Sequence, residues 1–197
     1  MGSGRALPVM AAGPSRFVMA EAHWIPRPAD VNEIPALEQL IRRSARGLSR
    51  DHYSDAEVEA AIAHVFGVDS ELIADRSYLL IEEGGVPIAC GGWSRRRTLF
   101  GGDQFAGRDD ALLEPARDAA RVRAFFVDPN HARRGLGVAL LQACEAAAAA
   151  AGFRALELMS TLPGVDFYAA NGFVAGEPIA HDAGGIALRF VPMRKLL

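Results

Sequence analysis

The stretch 122–159 constrains the fold of this chain more than any other. Val122 to Val127 is an apolar run rich in β-branched and aromatic residues, and it stops at the turn sequence Asp128-Pro129-Asn130. Beyond it Gly137, Leu140, Leu141, Cys144 and Ala148 fall on one face at helical spacing, and Gly152 ends the helix. The alanines from Ala146 to Ala151 combine high helix propensity with small side chains, which lets this helix pack closely on a sheet. Phe153 to Met159 is the next strand. Strand, helix and strand in that order form a βαβ unit, so part of the sheet is parallel.

The flanking segments make the sheet mixed. Phe17 to Ile25 is apolar enough for a first strand, which Pro26 and Pro28 stop. Asp30 and Glu33 form a capping pair ahead of Ile34, Leu37 and Ile41, which share a helix face, with Leu40 beside them and Pro35 in the first turn. Ser54 and Glu57 repeat the capping-box pattern before Val58, Ile62 and Val65, giving a second helix to about Phe66. Tyr78 to Glu82 and Val86 to Trp93 read as an antiparallel hairpin, because Gly84-Gly85 supplies the positive φ angles of a tight turn. Ser94 to Ala120 is charged and aperiodic apart from a helical turn near Leu112, and long loops of this kind are frequent carriers of function. A short helix follows over Val165 to Ala170, closed by Asn171-Gly172, and two strands over Phe173 to Ile179 and Gly185 to Val191. The expected architecture is an α/β fold, a mixed sheet covered by helices.

A chain of 197 residues is long enough for one sizeable core and short for two, so 17–197 reads as a single domain. Residues 1–16, rich in Gly, Ala, Ser and Pro without a period, read as a flexible arm. Folding at this length hides roughly 70% of the extended surface, so Cys90 and Cys144 are expected as reduced core thiols rather than a needed disulfide. The charge balance, 21 Lys+Arg against 24 Asp+Glu for a net −3, provides no broad positive field for a nucleic-acid partner. No apolar run approaches the roughly 18 residues of a membrane span, and the first residues lack the apolar segment of a signal peptide. A soluble, cytoplasmic protein is therefore expected. His23, His52, His64, His131 and His181 fall at no metal-ligand spacing, so no metal is expected.

Chemistry concentrates in Phe125-Phe126-Val127-Asp128-Pro129-Asn130-His131-Ala132-Arg133-Arg134-Gly135-Leu136-Gly137-Val138. A helix that starts at glycines presents free N–H groups and the positive end of its dipole to an anion, and Arg133 and Arg134 add charge there. A Walker A loop is excluded, since Val138 and Ala139 stand where Lys and Ser or Thr are required. A Rossmann turn fits better, with Glu157 twenty residues past Gly137, yet Leu140 replaces the third glycine and the loop from Val127 to Gly135 is too long. An ordinary βα loop with a capping glycine is the remaining reading on spacing alone.

The segment Ala132-Arg133-Arg134-Gly135-Leu136-Gly137 resembles the Gln/Arg-x-x-Gly-x-Gly/Ala signature of the GNAT superfamily of acyl-CoA N-acyltransferases, with Ala132 departing from the expected Gln or Arg. Phe167-Tyr168-Ala169-Ala170-Asn171-Gly172-Phe173 is similar to the aromatic-Tyr-x-x-x-Gly-Phe segment of the same family, and Ile25 to Leu37 adds a weaker match. The resemblance implies a mostly antiparallel central sheet with helices on both faces and two splayed parallel strands at the cofactor site. It implies acetyl-CoA as co-substrate, its pantetheine amides on the backbone of Phe125, Phe126 and Val127 and its pyrophosphate on Arg133, Arg134, Gly135, Leu136, Gly137 and Val138. Tyr168 corresponds to the tyrosine that protonates the departing CoA thiolate, a role suited to a phenol of pKa about 10. The strand position where many relatives carry a Glu matches Arg121, which accepts no proton, so Glu157 on the following strand is the candidate base.

The function expected from the resemblance is transfer of an acetyl group from acetyl-CoA to a primary amine of a small molecule, by direct attack in a ternary complex. A non-catalytic acyl-CoA-binding module and a protein N-acetyltransferase are the alternatives. Arg121 and Arg123 on one strand face, with Arg95, Arg96 and Arg97 on the hairpin beside it, point to an acceptor bearing a carboxylate or phosphate, because buried arginines call for an anion. Their alternative partners are Asp109, Asp110 or Glu114 on the long loop. A homodimer is compatible with the reading. Cys144 lies on the buried face of a helix and Cys90 has no neighbouring His to activate it, so a cysteine nucleophile is not expected.

Overall fold

A computed structural model of the chain describes residues 24–197. The arm expected at 1–16, His23 and most of the strand expected from Phe17 lie outside the described residues. Trp24 to Pro26 are irregular, and the first paired residues are Arg27–Pro28 (β1), antiparallel to Tyr78–Glu83 (β2). Pro28 therefore joins the ladder instead of stopping it. β1 lies at the sheet edge, where a missing N–H costs nothing.

The capping signals work as the sequence predicts. Asp30 and Glu33 cap each other's backbone around a 3-10 turn at Val31–Glu33, which leads into α1, Ile34–Leu48, with Pro35 in its first turn. Ser54 and Glu57 form the second capping box, and α2 runs Asp55–His64. A five-residue helix, α3 at Ser70–Ala74, is too short to have shown a period. The expected hairpin is β2 with β3, Val86–Ser94, and the next strand is β4, Ala120–Val127. Between them, the turn expected near Leu112 is not helical. Leu112 instead makes an isolated antiparallel bridge with Arg96, which folds the long loop back on itself.

The helix of the βαβ unit is α4, Leu136–Ala150, followed by β5, Ala155–Thr161, and α5, Val165–Ala170. Three strands rather than two complete the chain. They are β6, Val174–Ala175; β7, Ile179–Ala183; and the long β8, Ile186–Leu196. Gly184-Gly185 is the turn of the β7–β8 hairpin, not the start of a strand.

The eight strands order as β1-β2-β3-β4-β5-β8-β6, with β7 also on β8, and every pairing is antiparallel except β4 with β5. Helices cover both faces. Leu37, Leu40 and Ile41 of α1 pack with Leu72 of α3 on Tyr78, Leu80 and Cys90. Leu136 and Leu140 of α4 pack on Ile81, Ile88 and Ala89, while Leu141 and Ala148 pack on Leu156 and Leu158. Alternate residues of β2 thus serve opposite cores, as the two-residue period of a strand requires. Among the described residues no helix is long and apolar enough to cross a membrane.

Candidate active site

The parallel pair that defines the βαβ unit is short. β4 and β5 are in register only at Ala120 with Leu156 and Arg121 with Glu157. From there β4 follows β3 as far as Val127, and β5 follows β8 as far as Thr161, so the two strands diverge. A bulge sharpens the turn-away. The β3 register shifts between Cys90 and Gly92, and Ala124 opposite it takes φ +55°, a left-handed value rare for a residue with a side chain. The wedge is the mouth of a cavity of about 250 Å³ that extends beneath α1 and the long loop.

The start of α4 forms one wall of the wedge. Gly135 is its N-cap at φ +84°, with no side chain capping the helix, so the N–H groups of Leu136, Gly137 and Val138 have no intrahelical acceptor. Arg133 is also left-handed, at φ +64°, and two such residues around Arg134 curl the backbone into the kind of concavity that gathers N–H groups toward an anion. The two glycines have different work. Gly135 is required by its φ, whereas a Cβ on Gly137 would sit 3.1 Å from the Phe167 ring, so Gly137 lets α5 approach α4. The two arginines differ likewise. Arg134 lies over the Trp24 ring and pairs with Glu83 at 3.4 Å, while Arg133 is exposed and makes no ion pair among the described residues. On β4, the Val127 N–H donates to Ser44 Oγ at 3.2 Å, which ties this end of the strand to α1.

Tyr168 projects from α5 into the cavity lining, 8% exposed, with its ring among Phe125, Phe167 and Phe173. Burial raises its pKa well above the usual phenol value. Glu157, the other expected catalytic residue, does not line the cavity. It sits at the paired end of the wedge with both carboxylate oxygens held, one by Arg121 and the other by Arg194 Nη1 at 3.0 Å. The geometry brings Phe125, Phe126, Val127, Gly137 and Tyr168 together and leaves Glu157 outside.

Three of the arginines read as acceptor contacts, Arg96, Arg121 and Arg123, are engaged by acids, though not by those of the long loop. Arg96 forks onto Asp75 at 3.0 and 3.1 Å, and Arg121 is on Glu157. Arg123 reaches Asp69 with Nη1 and Oδ2 2.6 Å apart, the two side chains 2% and 0% exposed, and its Nη2 donates to the Gly101 carbonyl at 2.5 Å. Asp69 is shared. Its Oδ1 accepts from Arg108 at 3.0 Å and from the backbone of Glu71, capping α3. Burial lowers the Arg123 pKa and Asp69 opposes that shift. Asp69 carried no signal in the sequence, because nothing local distinguishes a helix cap that also meets an arginine of a distant strand.

Part of the cavity wall is aromatic, and the sequence did not mark it. Phe66 follows α2, Phe100 lies in the long loop, and Phe126 and Phe190 come from β4 and β8, with ring centroids 5.6 to 6.4 Å apart for Phe66–Phe126, Phe66–Phe190 and Phe100–Phe190. Among the described residues no group of three or more His, Cys, Asp or Glu side chains could hold a metal ion. Cys90 and Cys144 are buried free thiols, and burial pushes that of Cys90 up to about 12.

Residues 35–173 match the model of the acetyltransferase (GNAT) family. Among solved structures, the fold is similar to that of a GCN5-related N-acetyltransferase, also described as a class-II aminotransferase, from Rhodopseudomonas palustris. That likeness has a TM-score of 0.68 at 22% identity over 91% of this chain and 99% of the other. PaiA N-acetyltransferase from Thermoplasma acidophilum, in complex with coenzyme A, has a TM-score of 0.59 at 16% identity over 87% and 98%. A ribosomal-protein-alanine N-acetyltransferase from Brucella melitensis has 0.57 at 16% over 88% and 99%. No curated protein sequence matches the chain.

Proposed function

The chain belongs to the acetyltransferase (GNAT) family, and from that premise we propose that it transfers the acetyl group of acetyl-CoA to the primary amine of a small molecule, by direct attack in a ternary complex. The observation that carries the reading is the wedge, which joins an anion-binding helix start to a cavity lined by one buried, protonated phenol. In this reading the pyrophosphate lies on the backbone from Arg133 to Val138, with Arg133 free to pair with it. The pantetheine arm runs along the inner edge of β4 at Phe125 to Val127, where Ser44 already holds the Val127 N–H, and brings the thioester to Tyr168. A cavity of about 250 Å³ is below the roughly 300–1,000 Å³ of drug-sized ligand sites, which favours a small acceptor over a polypeptide.

The proton balance follows from the residues present. The amine nitrogen attacks the thioester carbonyl, the carbon–sulfur bond breaks, and the thiolate leaves. Tyr168 Oη gives its proton to sulfur and recovers one from the nitrogen of the collapsing intermediate, so amide and thiol form with no net proton released. Burial makes a lone phenolate costly, which couples the two transfers. Glu157 takes no part, since two arginines occupy its oxygens away from the cavity.

The test is acetyl-CoA binding followed by turnover. At about 100 times its Kd, acetyl-CoA should add about 2.7 kcal/mol of stability, read as a rise in Tm. Release of free thiol in the presence of amines then separates a transferase from a binding module, and an unchanged Tm with millimolar acetyl-CoA would overturn both.

A further inference from the structure

Among the described residues, no carboxylate lines the cavity that would receive the amine. Among the described residues that line it, only Arg123 and Tyr168 can ionise, and neither accepts a proton at neutral pH. Asp69, the carboxylate that Arg123 meets, is fully buried and held by two arginines. An ammonium entering here would lose its hydration, meet the guanidinium of Arg123 as the fixed charge among the described lining residues, and find no lining group to take its extra proton, since His181, packed on Phe100 with ring centroids 5.3 Å apart, does not line the cavity. Phenylalanine faces attract a cation, but by less than an unpaired buried charge loses on desolvation. An uncharged amine meets none of these costs. Its two N–H protons suffice for the relay through Tyr168, and the edge and face contacts that Phe66, Phe100 and Phe190 make with one another extend naturally to one more flat ring.

Resting on the acetyltransferase reading, we propose that the acceptor is a small aromatic amine of low basicity, an aniline-type nitrogen on an apolar ring that binds uncharged against Phe66, Phe100 and Phe190. The reading replaces the carboxylate- or phosphate-bearing acceptor expected from the arginines, because those that the structure pairs, Arg96, Arg121 and Arg123, already have carboxylate partners. The cavity must also admit the acyl end of acetyl-CoA, which limits the acceptor to about a single substituted ring.

Two isomeric amines test it, 4-methylaniline and benzylamine, which have the same atoms and the same bulk but differ in basicity. Thiol release by the full chain with saturating acetyl-CoA, corrected for the uncatalysed rate, gives kcat/KM for each between pH 6.5 and 9.5. The aniline should be preferred at pH 7 by about 10²-fold or more with a flat profile. Benzylamine should gain close to tenfold per pH unit up to about pH 8.5 and then level off, because its ammonium, with a pKa about one unit below the lysine value of about 10.4, is almost wholly protonated at pH 7. Equal or better use of benzylamine at pH 7, or a flat benzylamine profile, overturns the proposal. So does failure to acetylate either amine while acetyl-CoA still raises Tm. Failure of acetyl-CoA to raise Tm overturns the transferase reading itself, and the acceptor assignment with it.

Discussion

Replacing Tyr168 with phenylalanine separates packing from chemistry at the centre of the cavity. The ring keeps its contacts with Phe125, Phe167 and Phe173, and only the hydroxyl oxygen is removed. No donor or acceptor is orphaned by the change, so stability should move by less than about 1 kcal/mol, or about 2–4 °C in Tm for a chain of this size. Turnover should behave differently. A positioned proton donor contributes about 10²- to 10⁴-fold, which is about 2.7–5.5 kcal/mol of barrier, and this should be lost from kcat while the acetyl-CoA affinity stays within about twofold. Because burial raises the phenol pKa, the wild-type group stays protonated below its usual titration near pH 10, and kcat with an uncharged acceptor should be flat from pH 6 to 9. Thermal denaturation, calorimetric titration with acetyl-CoA and a thiol-release assay on both proteins provide the three numbers. An unchanged kcat would return Tyr168 to a packing role, and a Tm loss beyond 4 °C would show that its hydroxyl has a structural partner.

Other substitutions probe the walls of the site. Gly135→Val forces a β-branched residue into φ +84° and should abolish the acetyl-CoA-induced rise in Tm; retention of that rise would remove the helix start from the binding site. Glu157→Gln should leave kcat within about twofold and cost about 1–3 kcal/mol of stability through its arginine partners; a large kcat loss relieved at high pH would restore it as a base. Asp69→Asn should cost about 3–5 kcal/mol, or about 6–20 °C in Tm, because it strands the buried guanidinium of Arg123. Arg123→Met should cost less, since Asp69 keeps Arg108 and a backbone N–H; the opposite order in thermal denaturation would refute the asymmetry.

Signals that act within a few residues were legible in the sequence, and those that act across the sheet were not. The capping pairs Asp30–Glu33 and Ser54–Glu57, the Gly84-Gly85 turn and the buried face of α4 at Leu140, Cys144 and Ala148 each encode their own geometry locally. Gly184-Gly185 is the same turn signal as Gly84-Gly85, but β7 before it is mostly exposed and reads as loop, which hid the hairpin. Tyr168 and the glycine loop were found because a motif carried them. Phe66, Phe100 and Phe190 were not, since each is an isolated aromatic in its own segment and acquires meaning only when three distant elements converge. The arginines show the same limit from the other side. A charge on the apolar strand β4 was a sound signal of a buried partner, but the partner of Arg123 is a helix cap on α3, and no local pattern links the two.

The wedge itself follows from which edges of the strands are satisfied. β4 is paired to β3 along its outer edge and β5 to β8 along its own, so the divergence sacrifices only inner-edge hydrogen bonds beyond Arg121 and Glu157. Buried backbone groups left without partners are costly, and one of them, the Val127 N–H, is taken by Ser44. The bulge at Ala124 then turns this stretch of β4 toward the cavity, leaving an extended edge whose donors and acceptors repeat at strand spacing. A chain of amides laid in the gap completes the sheet where β5 leaves it, as strand addition does for a peptide. The pantetheine arm of acetyl-CoA has two such amides. Binding should therefore stabilise the divergent halves of β4 and β5 above all, and amide hydrogen exchange with and without acetyl-CoA should slow most at 122–127 and 158–161; protection confined to the start of α4 would limit the interaction to the phosphates.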